Sequence, residues 1–497
     1  MIERLGLVSN ALPAQAEELA ALGGVLGLPL LLGLLGGLAR PARGWPVAVV
    51  GVLPLLALGW LFLQVAGEGR VWTVPLGPLS LYWRVNGLAL LMLLLTQAIL
   101  LASALYAPTY LRVDVQAPAR RQAWFWPLLG LLATSLSLIW LAADLLLLYF
   151  GLELMGLVAV GLMLLPGKAD ALVAGLRYLL LALIGSLAFL LGIALLLGAW
   201  GRLDLAGLTE AAEPGPLLWV AVALLSAGLL LKAAAFPLHA WLAPVHAAAW
   251  TPISALHAGL VIKASFFIAL QLWLVLTPRS APAAWLVGGL AAAAVVWGGV
   301  MAWRAAKLKD MLAWSTVSQL GYLLLGFPLL VGTDSTVAAV AWEGTWLQLA
   351  AHGIAKAAMF LAAGNLVLAT GKSHLRELAG ASRRFPLALL SFGIAAISLV
   401  GLPPSMGFTA KWLLLNAALM AGQWIWLAVL AAGTLLSAAY VFRVFRYSFV
   451  EDAPSLDFRP VPWSMDAVAL VLALASLLLG LVAEWPLSLL RAAGGES

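Results

Sequence analysis

Long apolar runs separated by short polar stretches make up nearly the whole chain, and the runs set its architecture. A helix of about 20 apolar residues crosses a hydrocarbon core of about 30 Å, and on that measure the pattern predicts roughly fourteen membrane-crossing helices. They begin near Leu19, Trp45, Val85, Trp124, Leu145, Ala171, Pro216, Thr251, Ala284, Leu308, Thr336, Leu387, Ile425 and Asp466. The longest polar stretches, Gly67 to Arg84, Gly201 to Gly215 and Glu451 to Trp463, are too short to be separate domains. The reading is one all-α, polytopic membrane domain.

Two of the runs break in the middle. The apolar run Pro216 to Leu231 ends at Lys232 in KAAAFPLHAWLAPVH, which crowds Pro237, Pro244, His239 and His246 into one membrane-depth segment. In SLVGLPPSMGFTAKWLLL, Pro403 and Pro404 cannot continue a helix, and Lys411 follows the break. Broken helices survive at membrane depth where they are buried in protein or line a hydrated cavity. Paired interruptions point to a structural repeat, inverted when each unit holds an odd number of spans. Five spans from about Trp124 and five from about Ala284 fit this, so the expected organisation is N-terminal helices over 1–123, five-helix repeats over 124–274 and 284–449, and a C-terminal helix over 450–497.

Composition agrees with a chain mostly inside lipid: 64% of residues are hydrophobic, 10% are charged, and the mean hydropathy is +1.05. Glu3, Glu17 and Glu18 around a short apolar patch argue against a cleavable leader. With no cysteine there is no disulfide, iron–sulfur ligation or thiolate chemistry, and no cofactor is expected. The net charge of +6 is dispersed over loops rather than gathered into a nucleic-acid surface. Loops after odd-numbered spans hold Arg40, Arg43, Arg112, Arg120, Arg121, Lys168, Arg304, Lys307, Lys309, Lys372, Arg376, Arg383, Arg384, Arg443, Arg446 and Arg459; the others hold only Arg70, Arg84, Arg202 and Arg279. That asymmetry predicts cytoplasmic odd loops and both termini on the opposite side of a cell inner (plasma) membrane.

Against this apolar background the buried polar residues carry the chemistry. A charged group near the bilayer centre costs roughly 2.5–3.5 kcal/mol on insertion scales, so its presence points to a protein-lined or hydrated path. Glu153 is the only carboxylate in LLLLYFGLELMGLVAVGLMLL, and Lys232 is its natural partner, a pairing that brings both groups toward titration in a functional range. A static packing ion pair is the plainer alternative. Lys263 lies deep in TPISALHAGLVIKASFFIAL; His257, six residues earlier, falls on a different helix face and fits a structural histidine equally well. His352 and Lys356 share a face, with Gly353 beside them permitting a local helix opening. Ser315, Ser318, Gln319 and Tyr322 form one stripe that suits a water wire or interhelical hydrogen bonding. Asp144, Asp466 and Glu484 sit at span ends and read as structural. His239, His246 and His257 have neither the spacing nor the acidic support of a metal site.

Several motifs now occur together and in order: FGLELMGL, KAAAFPLHAWLAPVHAAAWTPISALHAGLVIK, MLAWSTVSQLGY, HGIAKAAMFLAAG and GLPPSMGFTAKW. Over about Trp124 to Phe449 the chain resembles the proton-conducting, antiporter-like membrane subunits of respiratory complex I, membrane-bound hydrogenases and Mrp cation/proton antiporters. The resemblance implies two inverted five-helix repeats with discontinuous helices and proton transfer along a central hydrophilic axis. It assigns Glu153 as the paired glutamate, Lys232 as its partner, Lys263 as the lysine of the next helix, His352 and Lys356 as the connecting element, and Lys411 as the terminal lysine. Lysines at 263 and 411 lean toward the Mrp D-type and hydrogenase-type members, and the missing lateral helix leans away from the complex I L-type. The chain departs from the family in WLAPVH, where WLPDAH is common, and in AAKLKDML, where Asp-Leu-Lys-Arg is common.

The expected function is electrostatically gated proton translocation within a hetero-oligomeric membrane complex: separating Lys232 from Glu153 sends a proton toward Lys263, His352/Lys356 and Lys411, with His239, His246, His257 and the Ser/Gln/Tyr stripe as further stations. The energy must come from a partner, because the chain has neither a nucleotide loop nor redox ligands. Whether Na+ moves beside protons is left open. The alternative is the membrane subunit of a proton-coupled inorganic-carbon uptake complex with a soluble zinc-containing partner.

Overall fold

The structure is a computed structural model that describes residues 12–13, 16–38, 52–60, 70–76, 79–115, 117–277, 280–450 and 458–492. The predicted span start at Trp45, the loop residues Arg40, Arg43 and Arg279, and parts of the Gly67–Arg84 and Glu451–Trp463 stretches lie outside the described residues.

The first part of the chain comprises β1 (Leu12–Pro13), α1 (Ala16–Leu38), α2 (52–60), β2 (Arg70–Leu76), β3 (Leu79–Val85), α3 (Gly87–Val113) and α4 (Ala119–Ala123). Next come α5 (Phe125–Leu141), α6 (Leu145–Leu164), α7 (Ala169–Trp200), α8 (Leu205–Ala211), α9 (Pro216–Lys232), α10 (Leu242–Ala248), α11 (Thr251–Leu256) and α12 (Ile262–Leu276). A π-helical turn, His257–Val261, joins α11 to α12. The remainder is α13 (Ala281–Arg304), α14 (Leu308–Leu324), α15 (Gly326–Leu330), α16 (Ser335–Thr370), α17 (Ala381–Arg384), α18 (Pro386–Val400), α19 (Met406–Met420), α20 (Trp424–Ser448), α21 (Trp463–Leu478) and α22 (Glu484–Ala492).

Among the described residues, nine helical stretches are long and apolar enough to cross a membrane. The shorter apolar helices α9, α18 and α21, together with α2 and the more polar α14, account for the other five of the fourteen predicted runs. α11 and α12 are buried on every side, whereas α7, α13 and α20 turn many large apolar side chains outward, as helices facing lipid or a neighbouring subunit do.

The fold is not purely α-helical. The Gly67–Arg84 stretch, expected to be a polar connection, carries the antiparallel pair β2–β3, with Arg70 opposite Val85 and Leu76 opposite Leu79. RVWTVPL and LSLYWRV are rich in β-branched and aromatic residues, which suits strands and satisfies backbone groups that a bare loop would leave exposed at the membrane edge. The hairpin is laced to the helix ends on its own side: Ala143 N–H donates to Tyr82 O at 2.9 Å, and Tyr82 N–H donates to Asp144 Oδ2 at 2.8 Å. Asp144 also caps α6 by accepting from Leu147 N–H at 2.8 Å.

Both predicted breaks are present. α9 stops at Lys232, Pro237 lies in the gap, and the chain resumes as α10; α18 stops before Gly401, Pro403 and Pro404 lie in the gap, and Ser405 caps α19 through Phe408 N–H at 3.2 Å. Gly401, at φ +87°, closes α18 in the left-handed conformation that glycine adopts most readily. Gly353 does not open its helix: α16 runs without interruption from Ser335 to Thr370. Its missing side chain serves packing instead, since a methyl group there would stand 3.0 Å from the Gly259 carbonyl oxygen and 3.3 Å from Leu95.

Candidate functional site

Lys232 is the last residue of α9, and its ammonium donates to Glu153 Oε1 on α6 at 2.7 Å. Small residues bring the elements together: a methyl group at Gly185 of α7 would stand 2.8 Å from the Gly228 carbonyl oxygen and 3.3 Å from Lys232 Cγ. The lysine stem therefore threads between α7 and α6 to the carboxylate. The break beyond it is secured by Trp241, whose indole N–H donates to Leu231 O at 3.0 Å.

Beside this pair stands a residue that the sequence reading missed, at one end of a row of packed rings. Tyr178 on α7 lies within reach of the Glu153 charge, stacks on Trp241 at 4.4 Å and meets His257 edge-on at 5.4 Å. His257 in turn faces His246 at 5.4 Å, and His246 stacks on Phe360 of α16 at 4.6 Å. Both ring nitrogens of His246, His257 and His352 are without a protein hydrogen-bond partner among the described residues. His239 stands apart: it occupies the half-exposed α9–α10 connection between Phe236 and Trp314. Among the described residues no three His, Cys, Asp or Glu side chains gather into a metal-holding group.

Lys263 is fully buried, and its ammonium donates to the Ala258 carbonyl inside the π turn. That turn changes the register on which the simple face argument rested, for His257 and Lys263 now flank a widened turn and lie within Coulombic reach of each other. The Lys263 charge also reaches His352 and Lys356. Lys356 donates to Leu312 O at 2.7 Å and to the Ser315 hydroxyl. Lys411 donates to Leu399 O at 2.9 Å and Val400 O at 3.0 Å, the carbonyls at the negative end of α18, and lies 4.2 Å from the centre of the Tyr322 ring.

The Ser/Gln/Tyr stripe of α14 divides. Ser315 touches Lys356, and Gln319 sits in a side-chain network in which Gln348 donates to Gln319 Oε1 at 3.1 Å and Gln319 donates to Ser437 Oγ at 3.2 Å. Tyr440 closes this network with a 3.2 Å bond to Ser437. Ser318 points away and donates to Val295 O at 2.9 Å on α13, which makes it an interhelical bond. Tyr322 bonds Leu430 O at 3.0 Å and offers its ring face to Lys411. Gln348, Ser437, Tyr440 and Tyr178 lie near other polar residues in the sequence, Tyr178 directly after Arg177, so isolation in an apolar run, the signal that singled out Glu153, does not mark them.

The two carboxylates at the ends of the last span sit differently from each other. Asp466 does not snorkel to the surface but is buried, accepting from Asn365 of α16 at 2.8 Å, while Tyr106 of α3 donates to Asn365 at 2.7 Å. Burial is tolerable there because Asp466 Oδ1 and Asn365 Oδ1 each accept a hydrogen bond in a polar chain that joins three helices. Glu484 is exposed and pairs with Arg491 of its own short helix at 2.5 Å.

The fold and site define a polytopic membrane protein with two broken helices and a buried row of lysines and histidines. Residues 142–437 match the family described as NADH:quinone oxidoreductase/Mrp antiporter, TM. The chain is 32% identical to NADH-quinone oxidoreductase subunit N of Desulforudis audaxviator (strain MP104C) over 371 residues, covering 73% of this chain and 72% of the relative. A chain of the Mrp complex from Dietzia sp. DQ12-45-1b superposes with a TM-score of 0.83 at 26% identity over 96% of both chains. A chain of respiratory complex I from Thermus thermophilus does so with a TM-score of 0.81 at 25% identity, covering 96% of this chain and all of that one. The protein belongs to the NADH:quinone oxidoreductase/Mrp antiporter family and is an antiporter-like, multi-pass membrane subunit of complexes of that type. By sequence it stands beside N subunits and by structure beside both an Mrp chain and a complex I chain.

Proposed function

We propose that the chain carries protons along the axis Glu153/Lys232, Lys263, His352/Lys356 and Lys411 as one subunit of a membrane-embedded complex. The observation that carries this reading is the 2.7 Å Lys232–Glu153 pair at a helix break, followed by three further buried lysines within electrostatic reach of connecting histidines. Buried charges of this number are costly in lipid and accumulate where ions move. In the state described, Glu153 holds the Lys232 ammonium; drawing the two apart removes that stabilisation and releases a proton through Tyr178 and His257 toward Lys263. The like charges of Lys263 and Lys356 repel across His352, so a proton arriving at one favours departure from the other. Lys411, at the carbonyl end of α18, is the last station. Residues 124–274 and 284–449 are read as two related five-helix units, each with one broken helix, that rock about this axis.

Chemical energy is supplied by other subunits. Lys232→Met and Glu153→Gln in the intact complex test the proposal, with proton uptake into proteoliposomes as the readout. Abolished flux in complexes of normal composition supports it. Full flux removes both residues from the mechanism. Subunits that co-purify with the tagged chain identify the energy source: flavin or iron–sulfur proteins mark a complex I-like machine, and several small membrane proteins an Mrp-like one.

A further inference from the structure

One fully buried cation has no place in the proposed axis. Arg84, on β3, is 1% exposed and donates to Gln271 Oε1 on α12 at 2.5 Å, Gln271 being one of its partners. Strand pairing fixes its position: Arg84 lies opposite Val71, and the adjacent Trp83 bridges to Ala142 at the end of α5. Gln271 follows Lys263 by eight residues of α12, a rise of about 12 Å along the helix axis and a turn of about 80° around it, which places the Arg84 contact about 12 Å beyond Lys263. Between them lies a collar of buried rings. Phe267 meets Trp140 of α5 edge-on at 4.7 Å and Trp346 of α16 at 5.5 Å, and Trp140 is pinned by its indole N–H to Thr96 Oγ1 at 2.9 Å.

We infer that Arg84 and this aromatic collar form a seal that closes the Lys263 end of the axis toward the hairpin side of the membrane, so that a proton on Lys263 leaves sideways to His352 and Lys356. This rests on the proposed proton axis and adds to it the element that prevents leakage. The rings exclude a hydrated path, and the fixed cation repels a proton or hydronium that enters the remaining gap. A unit charge about 12 Å away at an effective dielectric constant of about 20 disfavours a second positive charge by about tenfold. The hairpin is then the carrier of the plug: a strand holds a guanidinium under the collar more rigidly than a loop would.

The test is the passive decay of an imposed pH gradient across proteoliposomes that hold the intact complex, with no energy source added. Arg84→Gln is expected to speed the decay about tenfold, and Arg84→Lys, which keeps the charge, to stay near the wild-type rate. Lys263→Met in the Arg84→Gln background is expected to restore a tight membrane, because the leak runs through Lys263. Phe267→Ala, which opens the collar and leaves the strand untouched, raises the leak in the same direction and serves if Arg84→Gln fails to assemble. An assembled Arg84→Gln or Phe267→Ala complex with wild-type decay overturns the seal, as does a leak that survives Lys263→Met. Driven flux in Lys232→Met separates the two ideas: flux lost there with no leak at Arg84→Gln removes only the seal, while flux retained removes the axis itself.

Discussion

Replacing Glu153 by glutamine keeps the shape of the side chain and removes one charge of the central pair. The oxygen that Lys232 contacts at 2.7 Å becomes neutral, or is exchanged for an amide nitrogen that cannot accept. Removing one partner of a buried ion pair costs about 3–5 kcal/mol, and because Glu153 keeps 24% of its side chain exposed the lower end, about 3 kcal/mol, is the working figure. At about 1.4 kcal/mol per power of ten, the arrangement that starts the transfer is about a hundredfold less populated. If loading of Lys232 is the gated step, driven proton uptake falls by a similar factor while the complex still assembles. The assay is quenching of a pH-sensitive dye in proteoliposomes, normalised to the amount of assembled complex. Lys232→Met leaves a buried carboxylate without its cation and should both stop flux and lower assembly yield. The double variant Glu153→Gln/Lys232→Met removes both charges, so yield should recover relative to Lys232→Met while flux stays absent. A Glu153→Gln complex that retains more than half of wild-type flux would refute the reasoning.

Three further outcomes follow from other parts of the molecule. Ser315→Ala removes a partner of the Lys356 ammonium and should lower driven flux several-fold, whereas Ser318→Ala loses only its bond to Val295 O, worth about 0.5–1.5 kcal/mol, and should leave flux unchanged; equal effects on flux would contradict the divided stripe. Gly353→Val places new atoms against Gly259 and Leu95 and should cost about 1–3 kcal/mol, read as a lower denaturation midpoint of the solubilised complex; an unchanged midpoint would mean that α11–α12 and α16 are not in close contact there. Asp144→Ala removes the cap of α6 and the anchor of Tyr82 N–H, and should destabilise the complex by about 0.5–2 kcal/mol through the cap alone without altering flux per assembled complex. Flux lost at normal stability would instead place Asp144 on the proton path.

What the sequence determined by itself is what lipid makes expensive. The span pattern, the breaks at Pro237 and Pro403–Pro404, and the exceptional standing of Glu153, Lys232, Lys263, Lys356 and Lys411 all follow from the cost of placing a charge or an unpaired backbone group in hydrocarbon, a cost each stretch bears whatever its neighbours are. Tertiary packing decided which polar group meets which. Ser315 and Ser318 are three residues apart on α14, yet one touches Lys356 and the other α13. Gly353 reads as a hinge and serves as a contact. Asp466 reads as an interfacial charge and is held inside by Asn365. Tyr178 and Arg84 gain their meaning only from Glu153 and Gln271, partners remote in the chain. Burial cost is additive along a helix, whereas hydrogen-bond and Coulomb partners depend on distances of a few ångströms between helices, and those are set only when the glycines and broken turns of separate segments close against one another.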